Sequence, residues 1–466
     1  MYQVSTIAGP GIVETIALWS RYAMRLTRLK LVPVGLTLVL VVAWLLSLRA
    51  GALAGGFWAI RHELIYLTGI LAIGFMSAGV VLAARPVQIE GALGGLDKFY
   101  RLHKWFGLAG LLLALAHWLL EIIPRWMVGQ GWLVRPSRPR RSGPAAGLDL
   151  LDSLRSAATE FGEIALYILI VLLLLALWKK FPYRWFFKAH RLMAPVFLVL
   201  VFHAVVLMDG TYWTAPLGPL MIVLLAAGTV AATMALFRRI GYSRRAAGVI
   251  TRLVTYQGNA VLDVAVDVGT AWPGHQAGQF AFLKTDDREG AHPFTISSAW
   301  HDDGHLVFSI KGLGDYTRKL PDLLHVGQPV TIEGPYGCFD FRGERPRQVW
   351  IAGGVGITPF MARLQALAGA GQGSGIDLFY STAAPDDAFV GQVRDLAEKA
   401  GVRFHLFVTA RDGLLTLDRL ADLVPGWIEA DIWFCGPAAF GKSLHAAMAS
   451  QGLPGSKFHR ELFEMR

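Results

Sequence analysis

The sequence predicts an α-helical membrane bundle of six transmembrane helices, followed by an antiparallel β-barrel and then an α/β domain with a parallel sheet. Three observations carry this. The 466 residues are 54% hydrophobic and only 17% charged, with a mean hydropathy of +0.44, which excludes a disordered chain and an ordinary soluble protein. Runs long enough to cross a bilayer fill roughly the first half, and charge is denser after about residue 240. Beyond that point apolar runs give way to alternation, and alternation to buried strands separated by helical stretches.

Residues 1–30 are read as a cytoplasmic N-terminal segment, in which Arg21, Arg25, Arg28 and Lys30 precede the apolar run 31–48. That run is long enough to span, so it is an uncleaved anchor in spite of the small residues Ala50, Ala52 and Ala54 behind it. Further spans follow at about 64–84, 103–123, 163–178, 190–208 and 217–237, giving a membrane domain over 31–240. An even number of spans returns the chain to its starting side. Lys and Arg gather at the span ends of one face, which places both termini in the cytoplasm. The formal charge of +10 is explained by this flanking, so membrane lipid is the expected partner and nucleic acid is excluded. The connection 124–162 carries Arg125, Arg135, Arg138, Arg140 and Arg141 on the outer side and is read as a solvated basic loop.

After Arg238, Arg239, Arg244 and Arg245 the stretches 261–268 and 306–310 alternate apolar and polar residues, the pattern of half-buried strands. Several short strands with Gly and Pro turns give the small antiparallel barrel over 245–343. From 344 to 466, a buried strand at 348–352, a glycine turn and a helix at 360–368 open a repeating β/α pattern.

Only Cys338 and Cys435 are present, too few for a four-cysteine iron–sulfur cluster or a disulfide framework. Histidines are uncommon inside spans, yet the third span holds His103 and His117, and the fifth holds His190 and His203. Fourteen residues of helix amount to a rise of about 21 Å and an azimuthal offset of roughly 40°, so His103 and His117 share a face at two depths. His190 and His203 would be some 140° apart on an ideal helix, and Pro195 between them is expected to kink it enough to reduce the mismatch. With both spans running outward, His103 is level with His190 and His117 with His203. Two bis-histidine haem sites use all four side chains as metal ligands. His62 is placed in the first outer loop without a depth-matched partner. Phe197, midway between the two levels, is read as core packing.

Three motifs follow in the soluble part. His292-Pro293-Phe294-Thr295-Ile296-Ser297-Ser298 ends a barrel strand, offering a hydroxyl, backbone amides and an aromatic suited to a flavin ring. Gly353-Gly354-Val355-Gly356-Ile357-Thr358-Pro359 lies between a strand and a helix, where glycines let the backbone approach a pyrophosphate and the helix N-terminus favours the anion. Its Gly-x-Gly-x-x-Pro form departs from the dinucleotide fingerprint at the last position. Trp433-Phe434-Cys435-Gly436-Pro437 again follows a strand, with a thiol placed to border a nicotinamide.

Taken in order, the six spans with paired histidines, the His-Pro-Phe-Thr strand, Gly334-Pro335-Tyr336-Gly337, the Gly-Gly-Val-Gly-Ile-Thr-Pro turn and Phe-Cys-Gly-Pro resemble the ferric reductase and NADPH oxidase superfamily, from about residue 60 onward. The chain looks like a bacterial member, with a ferric-reductase-like membrane domain joined to a ferredoxin-reductase-type dehydrogenase in the inner (plasma) membrane. The resemblance implies that His292, Pro293, Phe294 and Thr295, with Ser298 beside them, hold FAD. It implies that Gly354, Gly356, Thr358 and Pro359 meet the phosphates of NADH or NADPH, with Cys435, Gly436 and Pro437 near the nicotinamide. Phe463 matches the family's terminal flavin-stacking aromatic, here followed by Glu464, Met465 and Arg466. The family's NADPH-selective arginine is missing after Phe379-Tyr380-Ser381-Thr382-Ala383, which leaves Arg411 as the candidate for a 2′-phosphate.

The implied activity is electron transfer from cytoplasmic NAD(P)H through FAD and two b-type haems to an outer acceptor, oxygen giving superoxide or, alternatively, a ferric chelate. A haem-free transporter with a redox-sensing domain is the reading from another class, and the lack of Asp, Glu and Lys in most span interiors argues against it. No calcium loop or partner motif is visible, so no obligatory regulatory subunit is expected.

Overall fold

A computed structural model describes residues 28–134, 148–178, 180–286, 289–368 and 373–461. Two compact units divide the chain: Met1–Pro86 with Lys98–Arg238, and Val87–Asp97 with Arg239–Arg466.

The first unit is built from helices α1 (Arg28–Ser47), α2 (Gly56–Ala83), α3 (Leu96–Gly129), α4 (Leu148–Leu177), α5 (Tyr183–Arg191), α6 (Met193–Leu207) and α7 (Leu217–Leu236). Among the described residues six stretches are long and apolar enough to cross a membrane, the fifth running from Trp185 to Leu207 through α5 and α6. Helices are the physical answer to such sequences, because each satisfies its own backbone where no water can. Several run past the apolar stretches that announce them. Helix α2 begins eight residues before the expected span, at Gly56, so His62 lies on a helix and not in a loop. The fifth span breaks at Leu192, three residues before Pro195. Pro195 has no N–H to bond the Arg191 carbonyl and its ring crowds that carbonyl, so the break falls one turn before the proline.

Close packing in this unit depends on small residues. A Cβ on Gly228 of α7 would stand 2.7 Å from Phe197 Cζ and 3.2 Å from Ser77 Cα. Phe197 is buried in a cluster with Leu40, Ile70, Leu217 and Met221, in keeping with its reading as core.

The second unit holds two sheets. The antiparallel one consists of β1 (Arg245–Tyr256), β2 (Val261–Asp267), β3 (Phe280–Lys284), β4 (His292–Thr295), β5 (His305–Lys311) and β6 (Pro329–Tyr336), in the order β4-β3-β6-β1-β2-β5. Its end strands meet at one bridge, Ile296 to Phe308. The expected barrel is therefore a six-stranded sheet pinned together at a single pair, since β4, four residues long, has few backbone groups to continue a ladder. The parallel sheet, β7 (Gln348–Gly353), β8 (Ile376–Thr382), β9 (Arg403–Val408), β10 (Asp431–Cys435) and β11 (Phe458–Arg460), runs β11-β10-β7-β8-β9. Helices α8 (Thr358–Ala368), α9 (Asp387–Ala400) and α10 (Ala438–Ser450) make its crossovers. Its strands read as continuous apolar runs because both faces are covered, with Val349, Trp350, Ile351 and Ala352 all fully buried.

The short segment Val87–Asp97 follows an apolar span in sequence yet packs with these sheets. Glu90 accepts the backbone N–H of Gly337 at 2.8 Å. Burial pushes its carboxyl above the usual carboxylate range, against the pull of that bond.

Candidate functional site

In the first unit, α3 carries His103 and His117, α5 carries His190 as its last residue but one, and α6 carries His203. The fold brings them together in two pairs. The rings of His103 and His190 are 5.8 Å apart between centroids with planes at 75°, and those of His117 and His203 are 6.1 Å apart at 79°. On either side of the break at Leu192, His190 faces His103 and His203 faces His117. Backbone carbonyls hold three of the rings: His103 Nδ1 donates to Gly79 O at 2.8 Å, His117 Nδ1 to Ile65 O at 2.9 Å and His203 Nδ1 to Ala158 O at 2.8 Å. A carbonyl only accepts, so in each case Nδ1 carries the proton and Nε2 keeps its lone pair. Metal–imidazole bonds of about 2 Å on both sides of one ion separate ring centroids by roughly 6 Å. Both pairs have that spacing.

The flavin-type motif lies on β4. Its His292 ring stacks on Tyr316 at 4.4 Å and 19° and lies nearly parallel to Phe294 at 6.4 Å. Burial pushes the imidazole down to about 4, so the ring is neutral at ordinary pH. His292, Pro293 and Phe294 are half-buried while Thr295 and Ser298 are buried. The Ser298 hydroxyl accepts the Val307 N–H at 3.0 Å and its carbonyl faces His275 Nε2 at 2.9 Å, so this residue anchors the sheet as well as flanking the motif.

The glycine turn leaves the C-terminal end of β7, and α8 starts at Thr358 with Pro359 second, where a missing N–H costs nothing. Gly354 has φ +56°, and a Cβ on Gly356 would stand 2.2 Å from the Cys435 carbonyl oxygen. A Cβ on Gly353 would meet Pro437 Cδ at 2.7 Å. The turn and the Cys435-Gly436-Pro437 loop therefore abut at the ends of neighbouring strands, with Ala352 paired to Cys435, where open α/β sheets take their ligands. Cys435 is 1% exposed, and burial, with Glu461 nearby, pushes its thiol well up. It is a neutral, packed thiol. Arg411 is engaged by Asp412 at 2.8 and 2.9 Å. Phe463 and the arginines 135, 138, 140 and 141 lie outside the described residues.

One residue escapes a reading by motif. Lys311, at the end of β5, places Nζ 3.8 Å from the point a Cβ on Gly354 would occupy, so the antiparallel sheet supplies a cation to the glycine turn. Nothing in its local sequence separates it from a surface lysine.

Residues 68–201 match the family described as the ferric reductase like transmembrane component, and residues 247–339 match the FAD-binding domain family. The chain is similar to the ferredoxin reductase component of 3-ketosteroid-9-alpha-monooxygenase from Rhodococcus rhodochrous, 26% identical over 41% of this chain and 56% of that protein. It is likewise similar to the electron transfer component of toluate 1,2-dioxygenase from Pseudomonas putida, 26% identical over 40% and 58%. The chain thus spans just over half the length of these curated relatives. Among solved structures, the FAD/NAD binding domain of a nitric oxide dioxygenase from Vibrio cholerae matches at 24% identity and a TM-score of 0.41, covering 47% of this chain and 98% of that one. The chain thus carries a region that matches the ferric reductase like transmembrane component, followed by one that matches an FAD-binding domain.

Proposed function

We propose that the protein moves electrons across a membrane, from cytoplasmic NADH or NADPH through FAD and two b-type haems to an acceptor outside, most simply oxygen, giving superoxide. The observation that carries this is the pair of facing imidazoles at each of two depths, 5.8 and 6.1 Å between centroids, on helices of a ferric-reductase-like component. FAD, when bound, turns the two electrons of a hydride into single electrons, and haem iron passes them one at a time.

The residues divide the work. The glycine turn at Gly354 and Gly356, the start of α8 and Lys311 offer amides and a cation to the dinucleotide phosphates. The loop at Cys435, Gly436 and Pro437 bounds the nicotinamide, and its buried neutral thiol keeps that wall apolar. His292, Pro293, Phe294 and Thr295 present a half-buried face to the flavin ring. His103 with His190, and His117 with His203, would each hold one haem between two imidazoles, and the haem would supply one-electron transfer there.

An anaerobic visible spectrum of the detergent-purified protein with FAD, taken before and after NADH or NADPH, tests the reading. Reduced low-spin b-type bands are expected, and admitting oxygen or ferric citrate then separates an oxidase from a ferric-chelate reductase. Well-folded protein without haem would overturn the proposal and leave the transporter reading ahead.

A further inference from the structure

Two of the histidines reach their carbonyls by one repeated device. A helical side chain leans toward the N-terminus, so residue i+4 covers carbonyl i. Four residues beyond Ile65 is Gly69, where a Cβ would stand 3.2 Å from both Cε1 and Nδ1 of His117. Four beyond Ala158 is Gly162, where a Cβ would stand 2.0 Å from His203 Nδ1. His103 bonds the carbonyl of Gly79, and the residue four beyond that is the small Ala83.

His190 stands apart. Its Nδ1 is buried and has no hydrogen-bond partner among the described residues, and its ring instead lies against Phe186 at 5.2 Å and 24°. Helix α4, which holds His203 through Ala158, continues to Leu177. Thirteen residues beyond Ala158, the separation of His190 from His203, lies Val171, and the residue four further on is Leu175. No glycine occurs in α4 after Gly162, and Leu175 stands at the His190 level where Gly162 stands at the His203 level.

We infer that the two imidazole pairs are built unequal: His117 and His203 carry two Nδ1–H···O=C bonds, His103 and His190 carry one, and iron held by the first pair is therefore the harder to reduce. The inference rests on the reading that both pairs hold haem. A carbonyl that accepts the Nδ1 proton makes the imidazole a more basic ligand, which favours the ferric form with its extra positive charge. His103 and His190 would then hold the more readily reduced iron, and His117 and His203 the less readily reduced one.

Redox titration of the full-length protein, followed by the visible haem bands, tests this with single-haem variants. His117→Leu leaves the haem at His103/His190, His103→Leu leaves the other, and each loses the same haem–haem interaction. The haem remaining in His117→Leu should titrate at the higher potential; equal potentials or the reverse order would overturn the inference. A second measurement does not depend on those variants folding. Gly69→Ala should shift only the lower-potential component of the two-haem protein, and shift it upward; movement of the higher component, or of neither, would also overturn it. Wild-type protein purified without any haem overturns the haem reading itself, a result distinct from two haems in the wrong order.

Discussion

Asp377 is fully buried and ionised. Arg403 grips it at 2.7 and 2.6 Å, His405 Nε2 lies 3.0 Å away, and Arg347 stands at 3.8 Å. Burial alone would raise the carboxyl, but the Arg403 and His405 bonds overcome it and hold the group down to about 2. A depressed acid stabilises the fold above its ordinary titration range and loses that contribution as pH falls toward the folded value. Asp377→Ala is expected to cost about 3 kcal/mol at neutral pH, the low end for a broken buried pair because Arg403 is largely exposed. Denaturant melts of the two proteins should show that gap, and the gap should shrink between about pH 4 and 2. The two cysteines give a second expectation at this scale. Cys338 is exposed and Cys435 buried, and the thiolate is the reactive form. Iodoacetamide at neutral pH should alkylate Cys338 in the folded protein and leave Cys435 untouched, as read by peptide mass spectrometry; early labelling of Cys435 would contradict the packed, neutral thiol.

Elements are held by a few polar anchors and by absent side chains. Asp386 caps α9 by accepting the Phe389 N–H at 3.1 Å and also accepts the Gly258 N–H of the β1–β2 turn at 2.9 Å, while Tyr256 donates to Gln392 at 3.0 Å. One carboxylate thus joins the antiparallel sheet to a helix of the parallel one. Asp386→Ala should destabilise the second unit by about 1–2 kcal/mol, and Asp386→Asn, which keeps an acceptor, by less; equal losses in thermal melts would refute the capping role. In the membrane unit, Gly228→Leu forces a side chain into the 2.7 Å gap beside Phe197 and should cost about 1–3 kcal/mol, visible as a lower melting temperature in detergent. Runs and alternation along the chain announced these elements but not their ends. The polar stretch Arg61, His62 and Glu63, in the second turn of α2, reads as loop until tertiary packing extends the helix. The four-residue β4 is too short for an alternating pattern to register.

At the scale of the whole molecule, the proposed electron path is expected to run without a separate electron donor protein. Purified protein in liposomes, given NAD(P)H on the face bearing the second unit, should reduce an impermeant acceptor on the opposite face at a rate unaffected by cytosolic extract. Dependence on the extract would reveal a missing subunit. The amino-acid order by itself determined the six apolar stretches, the switch from runs to alternation, the candidate glycine turns and the pairing of four histidines by depth, because hydrophobic length, period and helical rise are local quantities. Tertiary structure alone decided the rest. The carbonyls of Gly79, Ile65 and Ala158 that hold three rings, with none for the fourth among the described residues, and the approach of Lys311 to Gly354 all join residues far apart in the chain. Which backbone atom meets which side chain across two packed elements depends on the volume between them, and no single stretch of sequence encodes that volume.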